Sequence, residues 1–414
     1  MSSSQKFVTR ALAKYLVQSV AAIGPSRAPS RGRSRSRAER SRWGLIAMAA
    51  MASWGLGCGS AANPGDGGAL MDAALDGAAG DASVDAAPDA APPGPGLTFT
   101  NAELLGDFSP RWGHLVADLG DGRAVIFGGT DANAFGGVTL RDTWLVDTRG
   151  GQVETTRIAT TGPGPRYCGC ATYDAARDRV IVTGGRDLSG PFSVSAETWE
   201  LPLATGVWER IAVPSTPTST LGCMLAYSAS ADATFVFGGI SPSGPIRSFY
   251  RYDPSVPEWV YLDATGPGPR YDGALVPLDG GQRLLLYGGS TSAGGIGAVF
   301  YQDLWIFDVA AGTWAEQAVV GESPPGRRVP WSVLSPDGRT LTVVMGLDPE
   351  MLPMGDGWEL DLDLLQWQPL ELPAEIPPRA FVAGIRAAGG HLGLMLSGYD
   401  GARPIPEARW IDPR

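Results

Sequence analysis

The chain of 414 residues carries 57 Gly, 34 Pro, 13 Trp and only 2 His, with a formal net charge of −11. So many punctuating residues among 44% hydrophobic ones exclude a helical bundle, a collagen and a wholly disordered chain, and point to short strands joined by many turns. Two histidines leave little for His-based metal or acid–base chemistry.

Residues 1–42 hold ten basic residues and one acid, a net of +9, which leaves −20 for residues 43–414. An acidic domain of that kind repels nucleic acid. Residues 43–57 (WGLIAMAAMASWGLG) are uncharged and apolar, and Cys58 follows at once. A basic n-region, a short apolar run and a cleavage site form an export signal; the run is short of the roughly 20 apolar residues of a spanning helix. It resembles a bacterial lipoprotein signal, with Leu56 two residues before Cys58 where the usual pattern places Leu three before. The resemblance implies lipidation of Cys58 and a membrane contact through a lipid anchor only, in the bacterial cell envelope. A plain secretory signal is the alternative, giving a secreted protein. Residues 59–96 are built of Ala, Gly, Asp and Pro, with Asp66, Asp72, Asp76, Asp81, Asp85 and Asp89 at intervals of four to six. That composition predicts an extended, disordered tether, and the terminal Glu of a calcium loop is absent.

From residue 97 onward one unit repeats. A glycine pair or its relative closes an apolar run six times: VIFGG (125–129), VTGG (182–185), VFGG (236–239), LLYGG (285–289), VVMG (343–346) and LMLSG (394–398). The second Gly is present in all six, and the first becomes Met345 and Ser397 in the last two. About 17 residues upstream lies Arg111, Arg166, Arg270, Arg328 or Arg379, with Thr220 as the exception. Downstream come an aromatic (Trp144, Trp199, Tyr250, Trp305, Trp358, Trp410), then Asp147, Asp253, Asp308, Asp361 or Asp412, with Pro202 in the second copy. Six residues later stands Trp208, Trp259, Trp314 or Trp367, with Val153 in the first copy. Glycine, aromatic and Trp in that order resemble the kelch motif over essentially all of residues 97–414.

Each unit reads as four strands, a to d: a begins at the Arg, b ends at the glycines, c carries the first aromatic, and d the second, packed against the next blade. No unit buries both faces of its sheet alone, so the units stack radially. The sixth unit stops after its third strand, and residues 97–105 precede the first Arg as a fourth strand would. This predicts an all-β, six-bladed kelch-type propeller closed by an N-terminal strand. Its blades cover about 110–164, 165–218, 219–268, 269–326, 327–378, and 379–414 plus 97–106. Residues 1–57 form the signal and 58–96 the anchor and linker.

Strand a is innermost, so Arg111, Arg166, Arg270, Arg328 and Arg379 start near the channel mouth, on the face of the variable b–c loops. Two readings follow: a ring for an anionic group, or a repeat feature that bonds loop carbonyls. Asp142, Glu197 and Asp303, just before the c-strand aromatic, are in phase with the repeat as well. An exported domain allows a disulfide between Cys223 and either Cys168 or Cys170. His114 stands at the corresponding place one blade earlier, yet no metal-ligand spacing is matched, and no cofactor is implied. His391 reads as an exposed turn residue.

These features describe a non-enzymatic, envelope-tethered binding protein, a monomeric propeller that presents loops to a protein or carbohydrate partner. The alternative drawn from the resemblance is a sugar-active enzyme of the sialic acid mutarotase type, using acids and Arg at the channel mouth.

Overall fold

The computed structural model describes residues 95–414 except 134–135, 160, 189–193, 214–216, 218–219 and 293–296. The export signal, Cys58 and nearly all of the linker lie outside the described residues. Six antiparallel sheets of the expected kind follow one another. In blade 1 the strands are Leu115–Asp118, Arg123–Phe127, Thr143–Asp147 and Val153–Ala159. Blade 2 has Tyr167–Asp174, Arg179–Arg186, Thr198–Pro202 and Glu209–Ile211. Blade 3 has Met224–Ser228, Ala233–Phe237, Phe249–Asp253 and Glu258–Tyr261, and blade 4 Ala274–Leu278, Arg283–Tyr287, Leu304–Asp308 and Thr313–Gln317. Blade 5 has Trp331–Leu334, Thr340–Val344, Gly357–Asp361 and Gln366–Leu370.

Blade 6 supplies only Ala383–Ile385, Gly393–Leu396 and Ala408–Pro413 from its own segment. Its fourth strand is Leu97–Asn101, which pairs antiparallel with Ala408–Pro413 from Leu97 opposite Pro413 to Asn101 opposite Arg409. The chain then runs directly to blade 1, where Leu104–Leu105 adds a parallel fifth strand against Val153–Glu154. One short segment therefore covers the edges of two blades.

The apolar core is divided into layers, one between each pair of neighbouring blades. Blades 1 and 2 share Leu115, Phe127, Val180, Val182 and Trp208; blades 3 and 4 share Phe235, Phe249, Leu286 and Phe307. Blades 6 and 1 are joined by Ile126, Trp144, Ile385 and Leu396. The d-strand tryptophans face the preceding blade, not the next one. The Trp208 Nε1 donates to Thr143 Oγ1 at 2.8 Å and the Trp259 Nε1 to Thr198 Oγ1 at 2.9 Å, while the rings of Trp314 and Trp367 pack on Phe249 and Tyr287. The right-handed twist of each sheet carries strand d back over its neighbour.

The turn between strands c and d is capped as the spacing requires. Asp147, Asp253, Asp308 and Asp361 each accept a backbone N–H two or three residues on, an Asx turn. In blade 6, where no c–d turn follows, Asp412 instead binds the Nδ1 of His391, whose ring stacks on Trp410 at 4.6 Å. His391 is therefore a half-buried clamp on the last strand, not an exposed turn residue.

Both residues of every glycine pair have positive φ. At the first position φ is 59–71° and at the second 86–112°. The lower range is the left-handed helical region, which ordinary residues enter at a cost of about 1–2 kcal/mol; the upper range favours glycine. This accounts for Met345 and Ser397 at first positions and for the unbroken glycine at second ones. An alanine Cβ at residue 289 would lie 2.8 Å from the Tyr271 carbonyl oxygen, whereas at residue 288 the nearest atom is 3.2 Å away. Gly288→Ala is expected to cost about 1 kcal/mol and Gly289→Ala about 3 kcal/mol, read from denaturant midpoints. Equal losses would remove this account of the repeat.

Candidate functional site

The repeat arginines start strand a, and the structure changes their reading. Arg111, Arg166, Arg270 and Arg379 are buried inside their blades, each turned toward the acid that precedes strand c. Arg111 grips Asp142 at 2.6 and 3.1 Å and also donates to the carbonyls of Ser109 and Gly128. Arg270 repeats this with Asp303, Gly268 and Gly288. The guanidiniums of Arg111 and Arg270 are fully engaged within their own blades and turned away from a shared ring. In blade 5 the in-phase residue is Arg327, not Arg328: Arg327 holds Asp356 and the carbonyls of Pro325 and Met345.

Each acid has a second donor. The indole Nε1 of Trp144, Trp199, Trp305 and Trp358 donates to Asp142, Glu197, Asp303 and Asp356 at 2.8–3.0 Å. Burial pushes Asp142 and Glu197 up, but the Trp and Arg hydrogen bonds outweigh it and hold both carboxyls below their ordinary range. Blade 3 lacks this triad on both sides at once. Thr220 stands for the Arg, and Ser248, whose carbonyl accepts from Gly238 as the Asp142 carbonyl does from Gly128, stands for the acid.

The channel mouth is built from the residues that follow the fixed ones. The residue after each Arg position forms an antiparallel bridge with the residue after each second glycine: Trp112 with Thr130, Tyr167 with Arg186, Leu221 with Ile240, Tyr271 with Ser290, Arg328 with Leu347, and Ala380 with Tyr399. These positions are structurally equivalent but vary in chemistry, from an aromatic facing a hydroxyl residue in blades 1 and 4 to an aliphatic pair in blade 3. On blades 6, 1 and 2, Trp112 lies at the centre of an aromatic platform, with ring centroids 5.1 Å from Phe381, 5.2 Å from Tyr399 and 5.5 Å from Tyr167. On blades 4 and 5, Arg328 forms a buried pair with Asp272 at 2.5 Å, lies over the Tyr271 ring at 4.5 Å and meets the Met351 sulfur. Of the five arginines expected at the mouth, only Arg328 stands there.

The next position inward has positive φ in all six blades: Gly113, Cys168, Gly222, Asp272, Val329 and Phe381. Backbone bonds of 2.6–2.8 Å run around the channel from Cys168 to Gly113, Gly222 to Cys168, Asp272 to Gly222 and Val329 to Asp272. Non-glycine residues held in this region store backbone strain. Cys170 and Cys223 form a disulfide across blades 2 and 3, with Cα atoms 5.6 Å apart, which leaves Cys168 as a free thiol. Burial, and then the nearby Asp272, push that thiol well above its ordinary pKa, so it is a poor nucleophile. No group of three or more His, Cys, Asp or Glu capable of holding a metal occurs among the described residues.

His114 lies just before strand a of blade 1, two residues after Trp112 and against Gly129. Part of its side chain remains exposed, yet both ring nitrogens are enclosed and without hydrogen-bond partners. Burial, and secondarily the Arg111 charge, lower its pKa to about 3. The unfolded chain takes up this proton near pH 6.5 and the folded one only near pH 3. Stability is therefore expected to fall as pH drops through that window, and His114→Gln to flatten part of the fall in thermal-melt midpoints; an unchanged profile would show that the imidazole stays solvated. For the triads, Arg270→Ala or Asp303→Ala alone is expected to cost about 3–5 kcal/mol, because each strands a partly or wholly buried charge. The double change to Thr and Ser, as in blade 3, is expected to cost clearly less than the sum of the single changes in a denaturation cycle.

The family described as KLHDC2/KLHL20/DRC7 Kelch-repeats domain matches residues 215–395. Among relatives, Adagio-like protein 3 of Oryza sativa subsp. japonica is 29% identical over 229 residues, covering 52% of this chain and 34% of that protein. Putative adagio-like protein 2 of the same organism is 28% identical over 274 residues, 60% of this chain and 40% of that protein. The serine/threonine-protein phosphatase BSL2 of Arabidopsis thaliana is 31% identical over 124 residues, 28% of this chain and 10% of that protein. The chain thus spans two fifths or less of these relatives' lengths. Six blades in one phase and a closing first strand make residues 97–414 a six-bladed β-propeller, and these matches show its similarity to kelch-repeat domains.

Proposed function

We propose that this protein is a non-enzymatic interaction module that engages a protein partner through its channel mouth and b–c loop face. The observation that carries the reading is the part of this bridge ring that keeps solvent access, Trp112, Tyr167, Arg186 and Tyr399 on blades 6, 1 and 2, where the equivalent residues of the other blades are buried. Fixed scaffold with variable display is the arrangement of binding surfaces. The aromatic platform around Trp112 offers rigid, amphipathic contact area of the kind that anchors protein interfaces. Around it, the b–c loops of blades 1, 2, 4 and 5 each expose an aliphatic side chain, namely Val138, Leu188, Val299 and Leu352. A glycan that stacks on the same rings is the second ligand class served by this surface.

The mutarotase-type reading asks for acids and arginines at the mouth. Asp142, Glu197 and Asp303 instead belong to the triads, and Asp272 is committed to Arg328. We further propose that the signal and Cys58 place the propeller in a cell envelope, joined through the Ala- and Asp-rich segment 59–96, an environment in which the Cys170–Cys223 disulfide persists.

Crosslinked capture from envelope extract with the full chain tests both parts. Trp112→Ala and Tyr399→Ala are expected to weaken capture of the partner by about thirtyfold, the scale of an aromatic hot spot. Leu364→Ser, on a c–d turn of the opposite face, is expected to leave it unchanged. Capture that is insensitive to the first two changes would overturn the mouth as the binding surface. Palmitate labelling is expected to disappear in Cys58→Ala, and labelling that persists would refute the anchor.

A further inference from the structure

Blade 6 keeps the triad but changes its charge. Glu407 occupies the acid position, since its carbonyl accepts from Ser397 as that of Asp356 does from Met345. The indole position two residues later is taken by Arg409, and Trp410 falls one residue out of phase, into the apolar layer against blade 1. Arg379 Nη2 at 3.1 Å and Arg409 Nε at 3.0 Å both donate to the same oxygen, Glu407 Oε2. Where four sister blades balance one acid with one Arg and a neutral indole, blade 6 sets two guanidiniums on one carboxylate. Blade 2 also brings a second Arg to its acid, but Arg210 is 63% exposed and its charge is solvated, whereas Arg409 is 17% exposed.

A second observation concerns Arg379 itself. It is fully buried, yet its Nε and Nη1 have no hydrogen-bond partner. The matching nitrogens of Arg111, Arg270 and Arg327 all donate to backbone carbonyls or the acid. Nearby on the b–c loop, Asp400 and Arg403 pair at 3.6 Å. Arg403 is 76% exposed and its charge is solvated, so what sets blade 6 apart is two guanidiniums on one carboxylate beside two orphaned buried donors. A buried charge of this kind is costly unless an opposite charge meets it.

We propose that Arg379 and Arg409 of blade 6 bind a small oxyanion, a carboxylate or a phosphate. Arginine pairs suit such ligands because planar N–H forks match their oxygens and stay charged at every working pH. The site lies on blade 6, apart from the Arg328–Asp272 pair at the mouth, and stands independently of the partner-binding reading.

Titration of the full chain with inorganic phosphate and separately with acetate, against sodium chloride at equal ionic strength, tests this by calorimetry and by thermal midpoint. At least one of the two oxyanions is expected to bind and to raise the midpoint beyond the chloride control. Binding of phosphate alone marks a phosphate site, binding of acetate alone a carboxylate site, and binding of both a general oxyanion site. Arg409→Trp, which restores the sister-blade residue, is expected to weaken binding by at least about tenfold. Arg409→Gln serves as a second variant should the indole not fit. Arg339→Gln, an exposed arginine of blade 5, is expected to bind as the unaltered chain does. No binding by the unaltered chain, or equal binding by the Arg409 variants, would overturn the proposal.

Discussion

The structure depends on one backbone hydrogen bond repeated around a ring. The N–H of each second glycine donates to the carbonyl of the Arg-position residue in the next blade: Gly129 to Arg166, Gly185 to Thr220, Gly239 to Arg270, Gly289 to Arg327, Gly346 to Arg379 and Gly398 to Arg111, at 2.8–3.2 Å. The last of these joins the sixth blade to the first and closes the circle. A backbone donor aimed sideways out of its own sheet needs the φ of 86–112° found at these glycines, so the motif is conformational before it is chemical. The side chain at the Arg position then folds back onto the first-glycine carbonyl of its own blade, as Arg111 does to Gly128. The same residue thus links its blade to the preceding one through its backbone and locks its own b–c turn through its side chain.

This double role accounts for where charge is tolerated. A guanidinium buried in five of the six blades needs an acid, and the acid before strand c supplies it, with an indole as second donor in blades 1, 2, 4 and 5. Blade 3 has given up both charges together, as Thr220 and Ser248, and that blade's boundary with blade 2 carries the Cys170–Cys223 disulfide. The same boundary also holds a polar network in which Glu200 receives Arg179 and the Tyr252 hydroxyl, at 2.7 Å for the latter. Blade 6 departs in the other direction by adding a charge. A repeat whose members must fit the same neighbours tolerates paired losses more readily than single ones.

Much of this was legible in the residues. The phase of the glycines and tryptophans, the incomplete sixth unit and the spare strand at 97–105 together led to six blades closed by Leu97–Asn101. Register within a repeat was less legible. Arg327 and Arg328 are adjacent, and spacing alone did not separate the residue that turns inward to Asp356 from the one that faces Asp272 at the mouth. Trp410 matched an aromatic count while standing one residue away from the position it was taken to fill, and a shift of one residue in a strand moves a side chain to the opposite face. The mouth was missed because it is formed by what varies between units, and a search for repetition selects what does not.

Composition and periodicity by themselves determined the architecture, because glycines needing positive φ, apolar strands and capping aspartates are local requirements that recur at fixed intervals. They also determined which residues are repeat features. Only the tertiary structure decided what those residues face. Whether an arginine lines a channel or lies locked in its own blade depends on the direction of one side chain and on the acid that the fold brings beside it from about 30 residues away. The −20 of the region after the basic segment likewise acquires its meaning in three dimensions: part of it neutralises buried arginines, and the rest is left for solvent and partners.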